Sequence, residues 1–204
     1  MGKAEENKQQ KLEALYKNAY ELFLTNGIEK TSISDIAKKA GVAKGTFYLY
    51  FTDKYDIRDQ LIAKTADSLF HKAFKAMVNE QIPSFEDRII FIVDYVLDSI
   101  QKNKPMLRFI SKNLSWGIFR HAITSSLPGE DIDSYDIYQK LLFENPDVRL
   151  RAPKTMLFLI IELASSTSFS TILENDPIPF DELKPDLNAS IRAIIRNHTL
   201  PREV

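Results

Sequence analysis

The first proline of this chain falls at residue 83, and eight more follow it at intervals of two to twenty-four residues. Proline breaks a helix interior because it lacks an N–H and its ring crowds the preceding turn. The first eighty residues are therefore free to be helical, punctuated only by Gly2, Gly27, Gly41 and Gly45. The later prolines, Pro83 to Pro201, cut the remainder into helix-sized pieces. Runs of strand-type alternation are missing, and no Asn-Gly or Asp-Gly turn joins two such runs. The expected fold class is all-α.

Apolar spacing locates the helices. Leu12, Leu15, Tyr16, Ala19, Leu22 and Phe23 form one stripe of a helix over about residues 5–26. Gly27 stands where a left-handed C-terminal cap belongs. Ser32 with Asp35 makes a weak capping box for a short helix ending near Ala40, and Gly41 ends it. A second short helix is expected from about Lys44 to Phe51. Thr52 and Asp53 then cap a long helix over about 54–79, with Leu61, Ile62, Ala66, Leu69, Phe70 and Phe74 inward. Further helices are expected over about 84–102, two within 105–126, one over 135–144, one over 151–175 and one over 186–198.

Residues 28–54, IEKTSISDIAKKAGVAKGTFYLYFTDK, therefore read as a capped short helix, a glycine turn and a second short helix. That is the layout of a helix-turn-helix, whose second helix enters the major groove of DNA. Ile36, Ala37, Ala40, Val42, Phe47 and Phe51 would fill its core. Lys44, Gly45, Thr46, Tyr48, Leu49 and Tyr50 remain outward, a face that suits phosphate and base contacts. Gly45 near the helix start permits close backbone approach, and the helix N-terminus presents N–H groups to a phosphate.

The stretch resembles the TetR/AcrR family of bacterial transcriptional regulators. The shared elements are an apolar helix ending in Gly27, then Thr31, Asp35-Ile36-Ala37, Ala40-Gly41-Val42, Lys44-Gly45-Thr46, Tyr48, Phe51 and Lys54. Motif detail covers about residues 10–60. The resemblance implies a DNA-binding domain of three helices over 1–53 and a helical ligand-binding and dimerisation domain over 54–204. It implies that Lys44, Gly45, Thr46, Tyr48 and Tyr50 face DNA, while Thr31, Ser32 and Lys54 grip phosphates. It also implies a repressor released from its operator by a small molecule. One departure is Ala43, where members often carry a capping serine, at a cost of about 0.5–2 kcal/mol.

Charge adds mild support. Residues 1–54 hold nine lysines against seven acidic residues, within a chain of net charge −1. Modest non-specific affinity with marked salt sensitivity is expected. One such module reads few base pairs, so specific binding implies a homodimer on a two-fold symmetric site, its modules about 34–36 Å apart on double-stranded DNA. The last two helices carry apolar stripes suited to a dimer interface, and Ala164 to Ser168 permit close helix approach, though ordinary packing within one subunit reads the same way. Phe91, Tyr95, Met106, Phe109, Trp116, Phe119, Tyr138, Phe158 and Glu162 could line a largely apolar effector pocket. An aromatic stripe at helical spacing is equally what plain core looks like. His121 reads as a surface or capping residue.

Other classes fit poorly. Cysteine is absent, and His71, His121 and His198 are scattered, so neither a metal nor a cofactor is expected. Residues 41–46 place lysine before glycine, the wrong order for a phosphate loop, and they follow a helix. Asp94 and Asp98 lie one helical turn apart and read as a solvated face, so no enzyme is expected. The polar N-terminus shows no secretory signal. The longest apolar run, 156–161, is short of a membrane span, so a cytoplasmic protein is expected. A helical adaptor or a non-specific DNA-coating protein remains the alternative.

Overall fold

The computed structural model describes residues 2–110 and 148–201. Among the described residues it contains eight α-helices and one isolated bridge between Leu150 and Thr199. The helices are α1 (Lys3–Asn26), α2 (Ile33–Lys39), α3 (Lys44–Phe47), α4 (Lys54–Asn79), α5 (Phe85–Gln101), α6 (Lys104–Ile110), α7 (Pro153–Leu173) and α8 (Phe180–His198). The chain divides into two compact units, Met1–Lys64 and Thr65–Val204, so the division falls inside α4. The helices expected within 111–147 lie outside the described residues.

In the first unit, local signals produce the turns. Helix α1 buries Leu15, Ala19 and Phe23 and stops at Gly27, not in the left-handed cap expected there but at φ 80° and ψ 158°, an extended region that essentially only glycine occupies. Ser32 and Asp35 form the full capping box: the Ser32 N–H donates to Asp35 Oδ2 at 3.0 Å and the Asp35 N–H donates to Ser32 Oγ at 3.1 Å. Helix α2 ends in a Schellman turn. The Gly41 N–H donates to the Lys38 carbonyl at 3.2 Å and the Val42 N–H to the Ala37 carbonyl at 3.0 Å, with Gly41 at φ 71°.

Helix α3 is shorter than its sequence predicts. It ends at Phe47, and residues 48–50 form a tighter turn in which the Leu49 and Tyr50 N–H groups donate to carbonyls three residues back. Ala43 supplies no side-chain cap, and so short a helix depends on Phe47 and Phe51, both buried, for its hold.

Helix α8 starts about six residues earlier than Pro185 implies. Phe180 is buried, and Gln101 and Asp98 of α5 hold Asp181 and Lys184 of the first turns. Those contacts outweigh the backbone bond that Pro185 removes. Helix α4 also departs from expectation: Ile57, Leu61, Ile62, Ala73 and Met77 are buried, whereas Ala66, Phe70 and Phe74 are only half-buried. Asp67 lies on the buried face at 4% exposure, beside the His71 ring. Helix α7 is, by length and composition, apolar enough to cross a membrane. A six-residue run understates it, because Glu162 and small hydroxyl residues interrupt the run while the helix stays apolar overall. Core helices share that composition, and Met156, Leu157, Ile160, Ala164, Ser168, Thr171 and Ile172 are buried.

A polar ladder joins α5 to α8 and corrects the reading of Asp94 and Asp98 as a solvated face. Gln101 donates to Asp181 at 3.0 Å, Lys184 to Asp98 at 2.6 Å and Asn188 to Asp94 at 3.1 Å. Arg192 reaches Glu86 and Asp87, each at 2.8 Å, and Arg196 reaches Glu86 at 2.9 Å.

Candidate nucleic-acid interface

Lys44, Gly45, Tyr48 and Leu49 are exposed on one short segment, α3 and the turn that follows, with Thr46 half-exposed among them. Tyr48 is 52% exposed and Leu49 80%. Phe47 and Phe51 anchor the segment from beneath, their ring centroids 5.3 Å apart, and the Tyr48 ring stands edge-on to Phe47 at 5.7 Å. An apolar side chain as exposed as Leu49 can meet a thymine methyl or a sugar edge. Its outward place is legible in the sequence, but leucine carries no polar group to mark it as a DNA contact. Gly45 has no positive φ, and nothing lies within 4 Å of where its Cβ would stand. The free fold does not need glycine at this position.

Three residues expected at DNA are engaged inside the protein. Thr31 is 1% exposed, and its hydroxyl donates to the Gly27 carbonyl at 2.8 Å, bracing the turn after α1. Tyr50 is half-buried, and its hydroxyl donates to the Lys8 carbonyl of α1 at 3.1 Å. Lys54 has 19% of its side chain exposed, and its ammonium donates to the carbonyls of Ile28, Glu29 and Thr31 at 2.9, 3.2 and 3.4 Å. An ammonium has three donors, and this carbonyl cradle takes all of them. Ser32 is exposed, but its hydroxyl donates to Asp35 at 2.6 Å. The bonds from the Ser32 hydroxyl and N–H hold the Asp35 carboxyl below its ordinary range, so it stays ionised beside Ser32.

The cradle makes a measurable distinction. Lys54→Met is expected to destabilise the first unit by about 1.5–3 kcal/mol, the worth of hydrogen bonds to a charged group. Thermal melts read that loss. A phosphate-gripping lysine would instead lower the salt slope of DNA binding by about one, and an unchanged melt with a lowered slope would return Lys54 to the interface.

The effector candidates are dispersed in the second unit. Phe91 and Tyr95 on α5 are half-buried, with ring centroids 6.3 Å apart. Met106 and Glu162 are half-buried, Phe109 is buried and Phe158 is exposed. Trp116, Phe119, His121 and Tyr138 lie outside the described residues. A cleft of about 410 Å³ opens between the start of α5 and the end of α8, lined by Ser84, Phe85, Glu86, Val148, Ile195, Arg196, Thr199, Leu200 and Pro201. It includes none of the expected effector residues. Asp67 is buried on α4 beside His71, a placement for which its own sequence neighbourhood holds no signal.

Residues 15–61 match the family model described as bacterial regulatory proteins, tetR family. The chain is 44% identical over 63 residues to the HTH-type transcriptional regulator YvdT of Bacillus subtilis, a match covering 29% of this chain and 32% of that protein. It is 27% identical over 179 residues to an HTH-type transcriptional regulator of Staphylococcus aureus strain USA300, covering 87% of this chain and 88% of that one. The fold matches a TetR transcriptional regulator from Rhodococcus sp. RHA1 with a TM-score of 0.62 at 14% identity, over 94% of this chain and 98% of that one. The fatty acid degradation regulator FadR from Bacillus halodurans matches with a TM-score of 0.60 at 16% identity, over 92% and 97% of the two chains. Residues 15–61 are thus a DNA-binding module of the TetR type, and along most of its length the chain is similar to HTH-type transcriptional regulators and shares the helical fold of TetR-family structures.

Proposed function

We propose that the protein is a cytoplasmic repressor that binds a two-fold symmetric operator as a homodimer and is released by a small, largely apolar effector held in the second unit. The observation that carries the DNA contact is the exposed segment from Lys44 to Leu49, with a glycine at 45 for which the free fold has no use. On this reading Lys44 meets phosphate, Thr46, Tyr48 and Leu49 meet base edges and sugars, and Gly45 lets the helix backbone approach the duplex. Ser32 at the start of α2 is a further phosphate contact. The domain limits on this reading are 1–53 for DNA and 54–204 for effector and dimer.

Release follows from linkage. Helix α4 contains the boundary between the units, so an effector that favours one position of α4 would change the separation of the paired recognition segments. It must bind the conformer that does not hold DNA more tightly than the one that does. A hundredfold loss of operator affinity requires about 2.7 kcal/mol of coupling. Phe91, Tyr95, Met106, Phe109 and Glu162 are the described residues proposed to contact the effector.

Gly45→Ala separates a DNA role from a structural one. Alanine is the better helix former, so the free protein is expected to gain about 0.5–1 kcal/mol in stability. DNA affinity is expected to fall at least tenfold, because the added methyl stands where the duplex comes. Lys44→Ala and Tyr48→Phe are expected to weaken binding without unfolding the chain. Fragments selected from a random pool by the wild type serve as probe, with competitor DNA present. Full affinity in all three variants, or equal retention of every fragment, would replace the operator reading with the non-specific or adaptor one.

A further inference from the structure

A hydrogen-bond relay in the first unit ends at the recognition segment, and none of its side chains belongs to the exposed face. The Tyr16 hydroxyl on α1 donates to Gln60 Oε1 on α4. Gln60 Nε2 donates to Asp56 Oδ1 at 2.7 Å. Asp56 Oδ2 accepts from the Thr52 N–H at 2.8 Å and from the Thr52 hydroxyl at 3.2 Å. Thr52 directly follows Phe51, the buried end of the recognition segment.

The relay is directional. Gln60 is used as acceptor on one side and donor on the other, which an amide alone among side chains of that length provides. Burial pushes the Asp56 carboxyl upward, but the bonds from Thr52 and Gln60 outweigh it and hold the group below its ordinary range. Asp56 is therefore ionised at neutral pH and accepts all three bonds. A second connection runs beside the first: the Tyr16 ring stands edge-on to Phe51 at 5.3 Å, and Phe51 packs on Phe47.

The two ends of the segment are thus held differently. At its start, the turn of Gly41 and Val42 fixes it to α2 through backbone bonds. At its finish, the Tyr50 hydroxyl on the Lys8 carbonyl fixes it to α1, and the relay fixes it to both α1 and α4. The apolar core holds α3 in the unit but does not set its pitch, because apolar contact is non-directional; hydrogen bonds are directional. We infer that Tyr16, Gln60 and Asp56 are positioning residues for DNA recognition, setting the pitch of the segment from Lys44 to Tyr50 through Thr52. The inference rests on the reading of that segment as the DNA contact.

The test uses the full chain and a fragment selected by the wild type from a random pool. Tyr16→Phe keeps the ring packing and removes the hydroxyl; Gln60→Met keeps the volume and removes both links. Each variant is expected to remain folded in thermal melts and to lose about tenfold in DNA affinity well below its melting temperature. The double variant is expected to bind no more weakly than Gln60→Met, because one relay is broken once. Gln60→Glu adds a pH signature. The titratable and charged groups brought to position 60 are Tyr16 from α1 and Asp56 and Lys64 from α4. Two carboxyls side by side share one proton on acidification, so affinity is expected to recover relative to wild type as the pH is lowered. Wild-type affinity in folded single variants, multiplying losses in the double variant, or a pH profile parallel to wild type would each overturn the inference. Lys44→Ala is the control. If it loses affinity while the relay variants do not, the relay fails and the DNA face stands; if it too binds as the wild type does, both fall.

Discussion

Phe47→Ala is expected to unfold the DNA-binding module at ordinary temperatures while the second unit keeps its helices. Phe47 is fully buried, and it carries the exposed segment on the same short helix. Truncating a buried phenylalanine costs about 3–5 kcal/mol, through lost transfer energy and the cavity left behind. A unit of this size holds on the order of 3–10 kcal/mol in total. The loss therefore consumes most of the stability of the unit Met1–Lys64. Thermal unfolding should change from one transition to two, with the early one abolishing DNA retention. A single transition at the wild-type temperature would show that Phe47 is not what anchors the recognition segment.

The second large effect concerns Glu86 and acid. Burial pushes the Glu86 carboxyl upward, but the bonds from Arg196 and Arg192 outweigh it, and its pKa lies below the ordinary 4.5. A depressed carboxyl contributes stability that is complete above the unfolded value and is lost as pH falls through the folded one. The second unit should therefore weaken on acidification below about pH 4.5. Asp94 on the same helix has the opposite sign. Burial raises its pKa despite the bond from Asn188 and the charge of Lys184, so protonation of Asp94 relieves the fold and partly offsets the loss at Glu86. Glu86→Gln should cost about 1.5–3 kcal/mol at pH 7, where the charged bonds are intact, and its melting curve should converge on the wild-type curve as the pH falls below about 4.5. Curves that stay parallel from pH 7 to pH 3 would show that the ladder to Arg192 and Arg196 does not contribute to stability.

Much of the first unit is readable from short stretches of sequence. The α1 stripe, the Ser32 and Asp35 box and the glycine stops at 27 and 41 all appear where the residues imply. Each is a local interaction: a side chain three residues from a backbone N–H, or a φ that a Cβ resists. The outward placing of Lys44, Gly45, Tyr48 and Leu49 was legible for the same reason, whereas the half-buried Tyr50 and the missing last helical turn were not. Legibility fails where a residue has two possible partners. Lys54, Thr31 and the Tyr50 hydroxyl could each reach a phosphate or a carbonyl, and nothing within a few positions of them distinguishes the two. Asp94 and Asp98 read as solvated because their partners, Asn188 and Lys184, lie more than eighty residues away. Pro185 reads as a boundary because the docking of Phe180 that overrides it is a long-range contact.

The sequence by itself thus determined that the chain is helical, where its first helices begin and end, and which face of the short helix after Gly41 looks outward. Sterics of the backbone and hydrogen bonds within one turn settle such matters before any two helices meet. Only the tertiary structure decided which polar groups remain for a partner and which are used internally. That outcome depends on which distant carbonyl or carboxylate the packing of the core brings within about 3 Å, the reach of a hydrogen bond.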